Sequence, residues 1–334
     1  MHRRNAIKMG LLGAAAISTR AFGQAAATDR VLPGDGAVAN DPRETIELWP
    51  GTPPGGAGLS LVNRVSDRSP DPQRPDRFVD HIGKPSLTVF RPARPDGSAV
   101  VIAPGGGYVR EVLDGEGYET ARRLNTAGVT AFVLRYRLPG EGWQNRSDVP
   151  LQDAQRAMRL VRARATQFAI DPARVGIGGF SAGGHVAASL ATRSSAHVYT
   201  AVDQADTSDP HPAFAVLIYP VVTMGDGAHG GSRTNLLGAS PSAAQIATYS
   251  CERNVTAQTP PTFIALAADD RTVPPLQNGI AMYNALRAAN VAAELHVFEE
   301  GGHGFGIAKI AGKPGAAWPD LLVAWMRRHN FVKG

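Results

Sequence analysis

The chain has one cysteine, Cys251, in 334 residues. No internal disulfide can therefore hold it together, and stability has to come from a packed core, with Cys251 read as a small buried side chain. No uninterrupted apolar run reaches the length that crosses a bilayer. No His-Glu-x-x-His pair or cysteine and histidine cluster has metal-ligand spacing, so neither a metal nor another cofactor is expected. A charge surplus is also missing from the body of the chain. Lys and Arg number 34 against 29 Asp and Glu. Arg3, Arg4, Lys8 and Arg20 fall within residues 1–23, which hold no acid, and the remainder carries a net of only +1. No basic patch is left to argue for nucleic acid or acidic lipid as a partner.

What is present begins with a leader. Met1–Lys8 is basic, Met9 to Ile17 is an apolar run, and Ala21-Phe22-Gly23 offers a small-x-small cleavage site. The Arg3-Arg4 pair resembles a twin-arginine export signal, with Ala6 where that signal carries a bulky apolar residue, and ordinary secretion stays open. The expected location is the periplasm or outside the cell, with no membrane anchor after cleavage. Residues 24–43 are rich in Ala, Gly and Asp without periodicity and are expected to form a flexible tether. Residues 44–334 are expected to form a single domain.

Within that domain strand and helix patterns alternate. Thr45–Pro50 alternates as a strand does, and Arg64 to Lys84 reads as a polar, proline-punctuated loop. Ser86–Phe90 is a half-exposed strand pattern, and apolar runs at 98–103, 129–136, 174–178, 213–219, 262–267 and 294–298 predict further strands. Helical patterns cover 116–127, 149–168, 185–191, 276–289 and 316–330. In 149–168 the apolar positions share one face, so Arg156, Arg159, Arg162 and Arg164 are expected on a solvated one. The alternation predicts an α/β fold with a mostly parallel central sheet and helices on both faces. Residues 222–259 break the pattern, apart from a brief helical signal at 242–249, and are expected to be a flap over the sheet's carboxyl edge.

Gly179-Phe180-Ser181-Ala182-Gly183 stands between a strand pattern and a helix pattern, the setting of a nucleophile elbow. A serine hydroxyl is a weak nucleophile and needs a base within hydrogen-bond reach, itself oriented by a third group. His303 follows the strand at 294–298 in a glycine-rich loop, and Asp269 and Asp270 follow the strand at 262–267, where open α/β sheets build their sites. His185 and His296 read as packing, and His197, His211 and His229 fall in polar connections. Neighbouring side chains point apart, so only one aspartate can meet His303. Asp270 is favoured, with Asp269 left to brace the loop through backbone amides. Pro104-Gly105-Gly106-Gly107 can aim backbone N–H groups at a developing oxyanion, and Gly106, Gly107 and Ala182 are the expected donors. Tyr108 is expected to contact substrate, and Tyr136 and Trp143 are placed either in the same wall or in packing. These residues alone point to acyl transfer to water.

Pro-Gly-Gly-Gly-Tyr at 104–108, Gly-Phe-Ser-Ala-Gly-Gly-His at 179–185, Asp-x-x-Val-Pro at 270–274 and Gly-Gly-His-Gly-Phe at 301–305 occur together. In combination they resemble the serine esterases of the α/β-hydrolase fold, in particular the bacterial acetyl xylan esterase and feruloyl esterase-like subgroup related to hormone-sensitive lipase. Leu-Trp-Pro-Gly at 48–51 and Gly-Ser-Arg-Thr-Asn-Leu-Leu-Gly at 231–238 are similar to that subgroup too. Pro104 stands where the lipase type carries the histidine of His-Gly-Gly-Gly, so that residue's bracing is missing. The resemblance implies cofactor-free hydrolysis of short acyl esters through an acyl-enzyme, with a small-molecule or oligosaccharide ester, often an acetylated plant polysaccharide, as partner. Feruloyl or aryl esters, or peptides as in prolyl oligopeptidase relatives, are the alternatives.

Overall fold

A computed structural model describes residues 29–333 of the chain. The leader expected over 1–23 and residues 24–28 of the expected tether lie outside the described residues. The strands in chain order are β1 (Arg30–Val31), β2 (Thr45–Glu47), β3 (Arg64–Asp67), β4 (Arg77–Asp80), β5 (Ser86–Phe90), β6 (Ala99–Ala103), β7 (Glu111–Val112), β8 (Thr130–Arg135), β9 (Val175–Phe180), β10 (Ala215–Ile218), β11 (Thr262–Ala267) and β12 (Ala293–Phe298). The helices are α1 (Glu119–Asn125), α2 (Val149–Ala163), α3 (Ala165–Phe168), α4 (Ser181–Arg193), α5 (Gly230–Leu237), α6 (Ala243–Tyr249), α7 (Gly279–Ala288) and α8 (Trp318–Arg328).

The predicted central sheet is present, with eight strands in the order β12-β11-β10-β9-β6-β8-β5-β2. The six strands from β12 to β8 run parallel, and β5 and β2 pair antiparallel at one end. β6, β9 and β11 are buried along their whole length, as parallel strands covered on both faces must be. Successive residues feed opposite cores. Val101 and Ile177 pack with Met158 and Val186 on the face covered by α2 and α4, whereas Val100, Ile102 and Phe180 pack with Trp318 and Leu322 of α8 on the other.

A second, antiparallel sheet was hidden in the sequence. Its order is β1-β3-β4-β7. It corrects two expectations at once: Arg64–Lys84 contains the β3–β4 hairpin, and residues 30–31 of the expected tether pair with β3. Asp41, also within that tether, is buried because Arg77 meets it. Arg77 sits between the carboxylates of Asp41 and Asp114 and takes a further carbonyl, Gly36 O, at 2.9 Å. Those carboxylates hold its already high pKa higher still, although burial pulls the other way. Polar residues with internal partners leave no alternating apolar signal, which is why this sheet reads as loop.

The arginine face of α2 is a second correction. Arg156 is 1% exposed, donates to Leu48 O at 2.7 Å and pairs with Asp203 and Asp206. A guanidinium with its carboxylates and a carbonyl supplied from distant segments can be buried, and the partners at 203 and 206 are invisible to helical periodicity.

Candidate active site

Ser181 closes β9 and opens α4, and its φ of 51° is the left-handed value that a sharp strand-to-helix turn imposes. The flanking glycines follow from close approach. A Cβ on Gly179 would lie 2.1 Å from Gly183 O, and one on Gly183 would lie 2.1 Å from Ala103 O. The turn therefore exists only without side chains at those two positions.

The strand order sets β9 beside β6 on one side and, through β10, within reach of β11 and β12 on the other. That arrangement brings together three residues far apart in sequence. Ser181 Oγ is 2.8 Å from His303 Nε2, and His303 Nδ1 is 2.7 Å from Asp270 Oδ2. Asp270 Oδ1 accepts the N–H groups of Thr272 and Val273, both at 2.9 Å. A carboxylate facing donors on one oxygen accepts the Nδ1–H on the other, which leaves the Nε2 lone pair toward the serine hydroxyl. Asp269 points elsewhere and accepts the N–H of Gly302 at 2.7 Å, bracing the loop that carries His303.

Among the described residues the N–H groups of Gly106, Gly107 and Ala182 have no acceptor outside the helices and strands; Ala182 follows the serine, and the two glycines line the cleft with it. Gly106 and Gly107 have φ of 136° and 68°, conformations that a Cβ would strain, and Gly107 is bridged to Arg110. The N–H of Gly105 is not available, because it donates to Glu116 Oε2 at 2.6 Å. Glu116 Oε1 accepts the hydroxyl of Tyr219 at 3.0 Å, and that hydroxyl accepts the N–H of Gly306 at 3.1 Å. The Tyr219 ring meets His303 edge-on, 5.1 Å between centroids. Glu116 is buried, which pushes its carboxyl above the usual range.

Neither Glu116 nor Tyr219 was singled out from sequence. Tyr219 carried a usable signal, since it directly follows β10 at the sheet's carboxyl edge. Glu116 carried none, lying inside a helix pattern.

Tyr108 is corrected. Its ring is 1% exposed and its hydroxyl donates to His185 Nδ1 at 2.7 Å, so it packs behind the glycine loop instead of facing substrate. Tyr136 and Trp143 are buried as well. His185 donates from Nε2 to Tyr249 O at 2.7 Å, and burial lowers its pKa to about 4. Residues 222–259 hold α5 and α6, more regular than expected. Ser242 and Gln245 form a capping box for α6, and His229 Nδ1 accepts the Ser232 N–H at 3.2 Å to cap α5. The segment meets the site directly, with Asn235 donating to Gly107 O at 2.8 Å and His229 lining the cleft beside Ser181 and His303. That cleft has a volume of about 900 Å³, and the β3–β4 hairpin forms one of its walls.

The alpha/beta hydrolase fold family is matched over residues 100–307. An acetylxylan esterase of Xylanibacter ruminicola is 37% identical over 228 residues, 67% of this chain and 44% of that protein. The endo-1,4-beta-xylanase B of Butyrivibrio fibrisolvens is 35% identical over 209 residues, 63% of this chain and 32% of that protein. The chain thus spans less than half the length of these relatives. Among solved structures, the acetyl ester-xyloside bifunctional hydrolase of Caldicellulosiruptor lactoaceticus superposes with a TM-score of 0.70 at 31% identity, covering 88% of this chain and all of that one.

Proposed function

We propose, from the premise that this chain belongs to the alpha/beta hydrolase fold family, that it is a serine esterase removing short acyl groups, acetyl above all, from carbohydrate esters. The observation that carries the reading is the relay from Ser181 through His303 to Asp270, at 2.8 and 2.7 Å. The acetyl and xylan side of it is supported by the names of the similar proteins, an acetylxylan esterase and an acetyl ester-xyloside hydrolase.

In this mechanism Ser181 Oγ attacks the ester carbonyl carbon while its proton passes to His303 Nε2. The carbonyl electron pair moves onto oxygen, where the N–H groups of Gly106 and Ala182, with Gly107 beside them, receive the charge. Collapse breaks the bond to the leaving alcohol, which takes the proton from His303 and leaves an acyl-Ser181. Water then attacks the acyl carbon, giving its proton to His303, and the second collapse frees the acid and restores the hydroxyl. Asp270 fixes the tautomer throughout and stabilises the imidazolium.

The amino-terminal pattern at 1–23 supports export to the periplasm or beyond, in a twin-arginine or an ordinary secretory manner. Residues 222–259 act as a flap in this reading.

The test is a substrate panel of p-nitrophenyl acetate, butyrate, a feruloyl ester and acetylated xylan, run on purified protein and on Ser181→Ala. Turnover of acetyl esters should fall by about 10⁶ in the variant. Near-normal cleavage by that variant would refute the assignment.

A further inference from the structure

The cleft around Ser181 is charged, and its charges are unevenly satisfied. Arg68 pairs with Asp76 at 2.6 Å, Arg122 with Asp41 at 3.2 Å, and Asp114 with the buried Arg77 at 2.6 Å. Two acids remain. Glu116 accepts the Gly105 N–H and Glu119 the Ala308 N–H, and burial pushes both carboxyls above the usual range.

Three cations are left over. Arg74 on the β3–β4 hairpin, Arg110 after the glycine loop and Lys309 after His303 all line the cleft, and among the described residues none has a carboxylate in ion-pair range. Arg110 is held in place, its guanidinium stacked 4.8 Å from the centre of the Phe78 ring. Arg74 and Lys309 are exposed at the mouth. They come from three separate segments and line one cleft, so they act together on whatever enters it. Two are arginines, whose planar fork matches a carboxylate in a way that a point charge does not.

This inference rests on the acetyl esterase reading above. An acetyl group carries no charge, so an anion drawn into the cleft has to belong to the alcohol. We infer that the natural alcohol is a saccharide bearing a carboxylate, as a uronic acid substituent does, and that Arg74, Arg110 and Lys309 receive it while Ser181 attacks the neighbouring acetyl ester. A cavity of about 900 Å³ has room for several sugar units.

The experiment compares kcat/KM on acetylated xylo-oligosaccharides with and without a glucuronic acid branch, for the wild-type chain and for the double variant Arg74→Gln, Lys309→Gln. Both replaced side chains are exposed, and reading the ratio of the two substrates cancels any general loss of enzyme. Each exposed ion pair contributes about 2- to 5-fold, so the wild type should favour the acidic substrate by about tenfold at low salt, through KM. The preference should fall to about 2- to 5-fold, the share of the remaining Arg110, in the double variant and shrink about severalfold near 0.5 M salt. Equal kcat/KM on the two substrates, or a preference undiminished in the double variant, would overturn the inference. Absence of p-nitrophenyl acetate hydrolysis by the wild type would overturn the esterase reading, and this inference with it.

Discussion

The carboxyl of Glu116 accepts the N–H of Gly105 at 2.6 Å, and through Tyr219 the same side chain reaches the Gly306 N–H of the histidine loop. One buried residue thus couples the glycine loop at 105–107 to the loop that carries His303. Glu116→Ala should lower kcat by about 100-fold, the cost of misplacing donors or a base by a fraction of an ångström, with KM changed far less. Glu116→Gln, which keeps an acceptor for Gly105, should recover most of that loss. Active-site titration with a fluorophosphonate separates this from misfolding: the rate per labelled Ser181 should fall in the alanine variant. A loss confined to the number of labelled sites would make Glu116 merely structural.

Asp269 and Asp270 are adjacent, yet they face different partners, Gly302 N–H and His303 Nδ1 respectively. Asp270→Asn should therefore lower kcat by about 10⁴, since an amide no longer selects the tautomer with the proton on Nδ1. Asp269→Asn keeps an acceptor for Gly302 and should stay within about tenfold of wild type, judged by the modest worth of one partly exposed hydrogen bond. Steady-state kinetics on p-nitrophenyl acetate distinguishes the two, and equal losses would contradict the geometry.

Much of this arrangement was legible because it rests on local rules. The elbow glycines, the apolar runs of β6, β9 and β11, and the positions of Asp270 and His303 after strands all follow from backbone sterics and burial. What stayed hidden depends on partners that sequence does not bring together. Arg156 read as solvent-facing, and Arg77 as part of a loop, because their carboxylates lie tens of residues away. Tyr108 read as a sugar contact because nothing local reveals that its hydroxyl meets His185 77 positions on. Polar residues are ambiguous in just this way: exposure and buried pairing have the same local pattern.

Gly183 and Gly178 lie five positions apart and should respond oppositely to the same change. A Cβ on Gly183 meets Ala103 O at 2.1 Å and Pro104 O at 2.3 Å, both backbone atoms that cannot move without parting α4 from β6. On Gly178 the nearest atom is Val216 Cβ at 3.6 Å, an ordinary contact. Gly183→Ala should cost about 3 kcal/mol or more and remove activity, whereas Gly178→Ala should be tolerated within about 1 kcal/mol. Urea unfolding of the two variants measures the difference, and a stable, active Gly183→Ala enzyme would show that the turn is looser than the contacts imply.

His185 gives the fold a defined acid sensitivity. It is 2% exposed, donates to Tyr249 O and accepts from Tyr108, so it is built into the native state as the neutral ring. Burial lowers its pKa from 6.5 to about 4. Between those values the unfolded chain binds a proton that the native chain refuses, so stability falls as pH falls through that window and is fully present above it. The single group removes about 3 kcal/mol by pH 4. Because Tyr108 follows the glycine loop and Tyr249 ends α6, loosening at His185 should also disturb the segment 222–259 before the sheet melts. Denaturant unfolding of wild type and His185→Gln at pH 7, 5.5 and 4.5 isolates the contribution, since every other histidine is common to both and cancels in the difference. The wild type should lose about 2 kcal/mol more than the variant between pH 7 and 4.5. Parallel pH profiles would mean that the native ring takes up its proton as readily as the unfolded one, contrary to its burial.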